Sequence, residues 1–155
     1  MVDIVTAEKR SAMMAGIRSK NTKPEVHVRK LLHAMGFRFR LHRKDLPGHP
    51  DIVLPKYRTA IFVNGCYWHG HENCRLFRLP KSRTEFWTKK ISANRERDAC
   101  NFNKLTAYGW RIIVIWECAI PPKVRKDLPD LEFVLISAIR GGASHTEIRS
   151  TARLE

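Results

Sequence analysis

Apolar positions along this 155-residue chain change their spacing several times, and each change marks an element. Residues 7–20, AEKRSAMMAGIRSK, read as a short basic helix or arm whose apolar spots are Met13, Met14 and Ile17. Val28, Leu31, Leu32 and Met35 then recur at helical spacing. Asn21 or Thr22 is the cap, Pro24 sits in the first turn and Gly36 is the stop. FRFRLH (37–42) alternates apolar and basic residues, as a half-buried strand does. Pro47, Gly48 and Pro50 break the chain into a loop. DIVL (51–54) and TAIFVNG (59–65), joined by PKYR, predict a hairpin. Ser82 and Glu85 have the spacing of a capping box, opening a long helix that runs to Gly109. WRIIVIWE (110–117) is almost continuously apolar and reads as a central strand covered on both faces, with Trp110 and Trp116 filling the core. Leu128, Leu131, Leu135 and Ile139 space out a last helix, ended by Gly141 and Gly142, before a polar tail expected to be loose. This order of helices and strands predicts a three-layer α/β domain with a mixed sheet. The expected organisation is a basic arm over 1–20, one domain over 21–140 and a tail over 141–155.

An apolar content of 43% supplies one core at this length. No run of apolar residues is long enough to cross a bilayer, and the first residues lack the pattern of a secretory signal. A cytoplasmic, nucleoid-associated protein without membrane attachment is therefore expected. In that reducing setting four cysteines read as metal ligands or inert core thiols, not disulfides. Twenty-nine Lys and Arg against fifteen Asp and Glu give a formal charge of +14, which suits a polyphosphate partner and places nucleic acid first.

Carboxylates on apolar stripes narrow the chemistry, because burying one is costly unless it is paired or bound to a cation. Asp98 shares a helical face with Ile91, Phe102 and Leu105, and Glu25 shares one with Val28 and Leu32. Glu25 is equally explained by its place at a helix N-terminus, where the dipole favours negative charge. Asp51 opens a strand directly after Pro50, either as a hard-cation ligand or as the cap of a tight turn.

GCYWHGHENC (65–74) concentrates the remaining chemistry. Cys66, His71 and Cys74 have the spacing C-x4-H-x2-C and lack one ligand of a tetrahedral zinc site. Cys118, at the end of the central strand, is the expected fourth, since Cys100 turns away from the inward stripe of its helix. His69 is surplus to the ligands and can take a proton from an attacking water. Tyr67 and Trp68 are consecutive, so both cannot enter one core; with Trp87 they form a candidate surface for stacking on bases or inserting between base pairs.

PGHPDIVL, FVNGCYWHGHENC, RTEFW, NRERD and GWRIIVIWEC together resemble, in order and spacing, the very-short-patch repair (Vsr-type) DNA mismatch endonucleases, over roughly Lys9 to Ile139. The resemblance implies a restriction-endonuclease-like fold and nicking of duplex DNA on the 5′ side of the thymine in a T·G mismatch, a product of 5-methylcytosine deamination. It implies Mg²⁺ on Asp51 and the main-chain carbonyl of Val63, with His69 as general base and Asp98 and Glu25 as supports. It also implies structural Zn²⁺ on Cys66, His71, Cys74 and Cys118, DNA contacts from Met14, Tyr67, Trp68 and Trp87, and mismatch-repair proteins as partners of a monomer. Asn64 stands where the family pattern leads one to expect a histidine, and its amide can hydrogen-bond a phosphate. The strand carrying Asn64 lacks the Glu-x-Lys or Asp-x-Lys of restriction nucleases, an absence shared with the Vsr type. The competing readings are a structure-specific nuclease of the same fold and a zinc-stabilised DNA-binding module without chemistry.

Overall fold

The computed structural model describes residues 21–121, 123 and 130–150. The arm over 1–20, with Met14, and Leu128 lie outside them. Among the described residues three α-helices, α1 (Lys23–Ala34), α2 (Thr84–Ala107) and α3 (Leu131–Arg140), accompany five strands: β1 (Arg40–Leu41), β2 (Ile52–Leu54), β3 (Thr59–Asn64), β4 (Arg111–Trp116) and β5 (His145–Ile148). The strands form one sheet in the order β1-β2-β3-β4-β5. β1, β2 and β3 pair antiparallel, whereas β3, β4 and β5 run parallel, so the sheet is mixed.

Period-two alternation sends side chains to both faces of the sheet. On one face Ile52, Leu54, Ile61, Ile113 and Ile115 pack with Val28 and Leu32 of α1 and Leu135 and Ile139 of α3. On the other Val53, Ala60, Phe62, Ile112, Val114 and Trp116 pack with Leu105 and Phe102 of α2. Helices thus cover both faces, as the almost continuous apolar run of β4 predicts, and Trp110 and Trp116 are buried as expected.

The turn between β2 and β3 is a short 3₁₀ segment, Pro55–Tyr57, closed by Arg58 in the left-handed region (φ 45°). Arg58 ties that turn to the end of α2 by donating to the Tyr108 carbonyl (3.0 Å). Arg111 fixes α3 to the sheet: its guanidinium donates to the carbonyls of Ala138 (2.7 Å), Ile139 (2.8 Å) and Ala143 (3.1 Å). A cation there satisfies carbonyls that the helix end leaves open and meets the negative end of its dipole.

Three local expectations are corrected. The strand over 37–42 shrinks to Arg40–Leu41, because β2 offers partners only at Val53 and Ile52, and His42 (φ 47°) then leaves the extended path. The Ser82–Glu85 box does not cap α2; Arg83 holds the cap position in the left-handed region without a side-chain cap bond. Thr84 Oγ1 instead donates back to the carbonyls of Pro80 (2.8 Å) and Lys81 (3.0 Å). The tail is not loose over 145–148, where β5 pairs with β4 from Ile112↔His145 to Ile115↔Ile148. Only Ile148 is buried in β5, contributing about 1.5–3 kcal/mol, so main-chain pairing holds a segment that apolar pattern alone does not reveal.

Replacing Arg111 by Ala removes the donors to two carbonyls at the end of α3 and to that of Ala143, and is expected to cost about 2–3 kcal/mol of folding stability. Urea denaturation checks this, and a change under 0.5 kcal/mol on the scale of ordinary surface substitutions would contradict the anchoring role.

Candidate active site and metal centre

The loop after β3 folds back on itself through main-chain bonds. His71 N–H donates to the Cys66 carbonyl (2.9 Å), Gly70 N–H to Tyr67 (3.2 Å) and His69 N–H to Gly65 (3.2 Å). Gly70 (φ +59°) presses against α2 so closely that a Cβ there would collide with Ile91 and the Arg95 guanidinium. Arg95 Nη2 donates to the Gly70 carbonyl and Asn94 Nδ2 to the Trp68 carbonyl (2.8 Å), which fixes the loop to α2 on its other side.

This folding brings Cys66, His71 and Cys74 to Cys118, which follows β4. All four are buried, and their ligand atoms lie within 4.8 Å of one another. Cys100 is exposed and stands apart, as its helical position predicts. The His71 ring stacks flat on Trp116 (centroids 3.8 Å apart, 3° between planes), and its Nδ1 lies 3.7 Å from Cys118 Sγ. The thiol of Cys66 donates toward Cys118, which is thereby pushed down to about 4 while Cys66 is driven up. Burial also raises Cys74. Three sulfurs and one imidazole nitrogen at this spacing fit a four-coordinate soft metal, whose charge would let all three thiols ionise.

A second cluster lines a cleft of about 990 Å³ between α1, the 44–51 loop and the middle of α2. Glu25, His42, Asn64, Tyr67, Trp68, His69, Asp51 and Asp98 all contribute to its walls. Asp51 Oδ2 accepts the Val63 N–H (2.8 Å) at the hairpin's open end. Its carboxyl is pushed up to about 7, chiefly by burial; the Val63 bond pulls it back, and the neighbouring Glu25 charge adds to the rise.

Glu25, only 2% exposed, sits on the inward stripe as expected. Its Oε2 accepts from Asn21 N–H (3.0 Å) and Arg29 Nη2 (3.2 Å), and meets His42 Nε2 at 3.2 Å. Thr22 is the cap of α1, its Oγ1 accepting the Glu25 N–H (3.3 Å). Glu25 is therefore both a helix-start residue and a wall of the cleft.

Across the cleft, His69 Nδ1 meets Asp98 Oδ2 at 2.5 Å. A carboxylate at Nδ1 keeps the proton on that nitrogen and leaves Nε2 as the basic site. Tyr67, Trp68 and Trp87 form a half-buried aromatic group at the rim. Tyr67 lies 5.4 Å from Trp68 and 5.6 Å from Trp87, and Trp68 lies 5.8 Å from Trp87. Trp87 touches the cleft only through these two rings. Asn64 is nearly buried where β3 ends.

The family description "DNA mismatch endonuclease Vsr" matches residues 2–75 of the chain, which end just past Cys74. The type II nicking enzyme V.XorIIP of Xanthomonas oryzae pv. oryzae is 55% identical over 120 residues, 77% of this chain and 88% of that protein. V.NmeAIP, a type II nicking enzyme of Neisseria meningitidis, is 50% identical over 123 residues (79% and 87%). The DNA mismatch endonuclease Vsr of Escherichia coli is 42% identical over 120 residues (77% and 76%). The chain belongs to the Vsr family of DNA mismatch endonucleases.

In this Vsr-family chain the cleft also contains a group that sequence reasoning does not find. His42 reads as the end of an alternating strand, yet its imidazole lies between Glu25 and Arg29, with Nε2 3.2 Å from each. Glu25, His42 and Asp51 place ligand atoms within 4.8 Å of one another, a second potential cation cluster. His42 has φ 47° there, and no residue spacing announces the meeting.

Between about pH 4 and 7 the folded chain retains a proton on Asp51 that the unfolded chain has released, so stability falls as pH rises through that window. Asp51→Asn removes this loss. In magnesium-free buffer its stability advantage over the parent should widen from pH 5 upward and reach roughly 2–4 kcal/mol at pH 8; parallel pH profiles for the two proteins would reject the assignment. For the cysteine cluster, elemental analysis should find tightly held metal lost in Cys118→Ser and retained in Cys100→Ser.

Proposed function

We propose that this chain is a magnesium-dependent endonuclease that nicks one strand of duplex DNA on the 5′ side of the thymine in a T·G mismatch, within a restriction-endonuclease-like fold. One observation carries the reading: Asp51 and the His69–Asp98 pair open into the same cleft, with an aromatic group at its rim. The names of the relatives, nicking enzymes and a mismatch endonuclease, agree with it.

Asp51 and the Val63 carbonyl would hold magnesium, which supplies polarisation of the scissile phosphate and stabilisation of the departing 3′ oxygen. Asp51 must shed its proton to serve, and its elevated pKa makes cation affinity rise with pH. His69 accepts the proton of the attacking water at Nε2. Asp98 keeps the other ring nitrogen protonated and the ring oriented. Glu25, held by Asn21 N–H and Arg29, fixes the opposite wall. Zinc on Cys66, His71, Cys74 and Cys118 would close the loop that carries His69.

Tyr67, Trp68 and Trp87 are suited to entering the base stack beside the mismatch. Unstacking a step costs a few kcal/mol, and less at a poorly stacked wobble pair, so distortion itself discriminates. Asn64 can bond the sugar-phosphate chain at the cleft floor. Lys44 and Lys90 on the cleft walls, and the net charge of +14, favour the backbone regardless of sequence.

A nicking assay on a labelled T·G duplex tests this. Cleavage should require Mg²⁺, map 5′ to the thymine and leave the matched duplex intact. Asp51→Ala and His69→Ala should each lower turnover by about 10²–10⁴-fold while still binding the duplex. Full activity in Asp51→Ala, or a preference for a four-way junction over the mismatch, would overturn the proposal.

A further inference from the structure

The polar segment that closes the sheet makes contacts that neither its sequence pattern nor the proposed chemistry requires. Directly after β5, the Arg149 guanidinium donates through Nη1 to the Glu72 carbonyl (3.0 Å) and through Nη2 to the Asn73 carbonyl (2.8 Å). Glu72 and Asn73 are the two residues between His71 and Cys74. Asn73 has φ 51°, a left-handed conformation that asparagine accepts, and Arg149 clamps the carbonyls on both sides of that residue's α-carbon. The next residue, Ser150, is 3% exposed, and its N–H points at Cys118 Sγ (3.3 Å). Within β5 itself, Glu147 Oε1 accepts from Trp116 Nε1 (2.8 Å), fixing the ring on which His71 stacks.

These contacts reach three of the four cysteine-cluster ligands from one short stretch. Arg149 holds the turn that spaces His71 from Cys74, Ser150 supplies an N–H to a sulfur, and Glu147 orients the tryptophan behind the imidazole. An N–H directed at a thiolate stabilises its charge, and groups that orient metal ligands commonly change metal affinity when removed. A segment holding the sheet edge only for stability needs none of them.

We propose that residues 147–150 are part of the metal centre, with Arg149 as a positioning residue that keeps the His71–Cys74 turn closed around a bound zinc ion. The inference rests on the zinc reading above. It adds that metal retention depends on a segment far from the ligand motif in sequence, 73–76 residues beyond Cys74. It also couples the C-terminal strand to the loop that carries Tyr67, Trp68 and His69, since loop and ligands are one stretch of chain.

The test follows zinc transfer from the purified full chain to a chromophoric chelator, alongside thermal melts of the zinc-loaded and metal-stripped proteins. Arg149→Ala should release zinc about 10–100-fold faster than the parent. Its metal-stripped form should melt at the parent's temperature, because the clamp acts on the loaded loop. Arg149→Lys, which can restore one of the two bonds, should fall between them. Release at the parent's rate overturns the proposal. So does an equal loss of melting temperature with and without metal, which marks Arg149 as a general stabiliser. A parent protein that contains no zinc by elemental analysis sinks the zinc reading itself, an outcome distinct from either.

Discussion

Three thiols and an imidazole, buried together with ligand atoms within 4.8 Å, set the constraint on which the rest of this molecule depends. Apolar packing alone does not favour such a cluster, since each deprotonated sulfur brought from water is costly unless a cation meets it. The arrangement fixes the path of residues 65–74, and that path decides where Tyr67, Trp68 and His69 stand. A loop of this length with two residues at positive φ, Gly70 and Asn73, would otherwise have many conformations open to it. The walls of the cleft are thus placed in part by a cluster that does not line it.

The sheet supplies the other half of the geometry. β2 and β3 turn back on each other over a tight connection, so Asp51 at the start of one arm meets Val63 near the end of the other. β4 runs parallel beside β3 and delivers Cys118 to the same end. The long helix between β3 and β4 crosses the sheet and presents Asp98 to His69. The cysteine–histidine cluster, the carboxylates and the His69 imidazole all collect near the ends of β3 and β4, while the apolar residues along those strands hold the layers together. Asp51 illustrates the tension this creates: the burial that encloses it also raises its affinity for a proton.

Much of this was legible in the sequence where one residue type has few physical uses. The hairpin of β2 and β3, the unbroken apolar run of β4 and the stripe positions of Glu25 and Asp98 each point to their observed places. Cys118 was separable from Cys100 by helical geometry. The misreadings share a cause, which is that main-chain hydrogen bonding and local turns leave little trace in apolar spacing. β5 is a strand because β4 offers it an edge, not because HTEI alternates. The S/T-x-x-E pattern was read at Ser82, where no cap forms, although Thr22 and Glu25 carry the same pattern and there the Thr22 side chain does cap its helix. His42 lines the cleft at a positive φ. Its neighbours Glu25 and Arg29 come from another element, and a single sequence gives no sign of such a meeting.

Gly70 lies flush against Ile91 and Arg95, with no room for even a methyl group. The loop and α2 are therefore welded into one jaw, joined by Asn94 and Arg95 as well as by contact. The facing jaw, built from α1 and the bend at His42, closes on itself through side-chain hydrogen bonds around Glu25. A displacement of the loop is therefore carried straight into α2, so the two wall elements shift as one body.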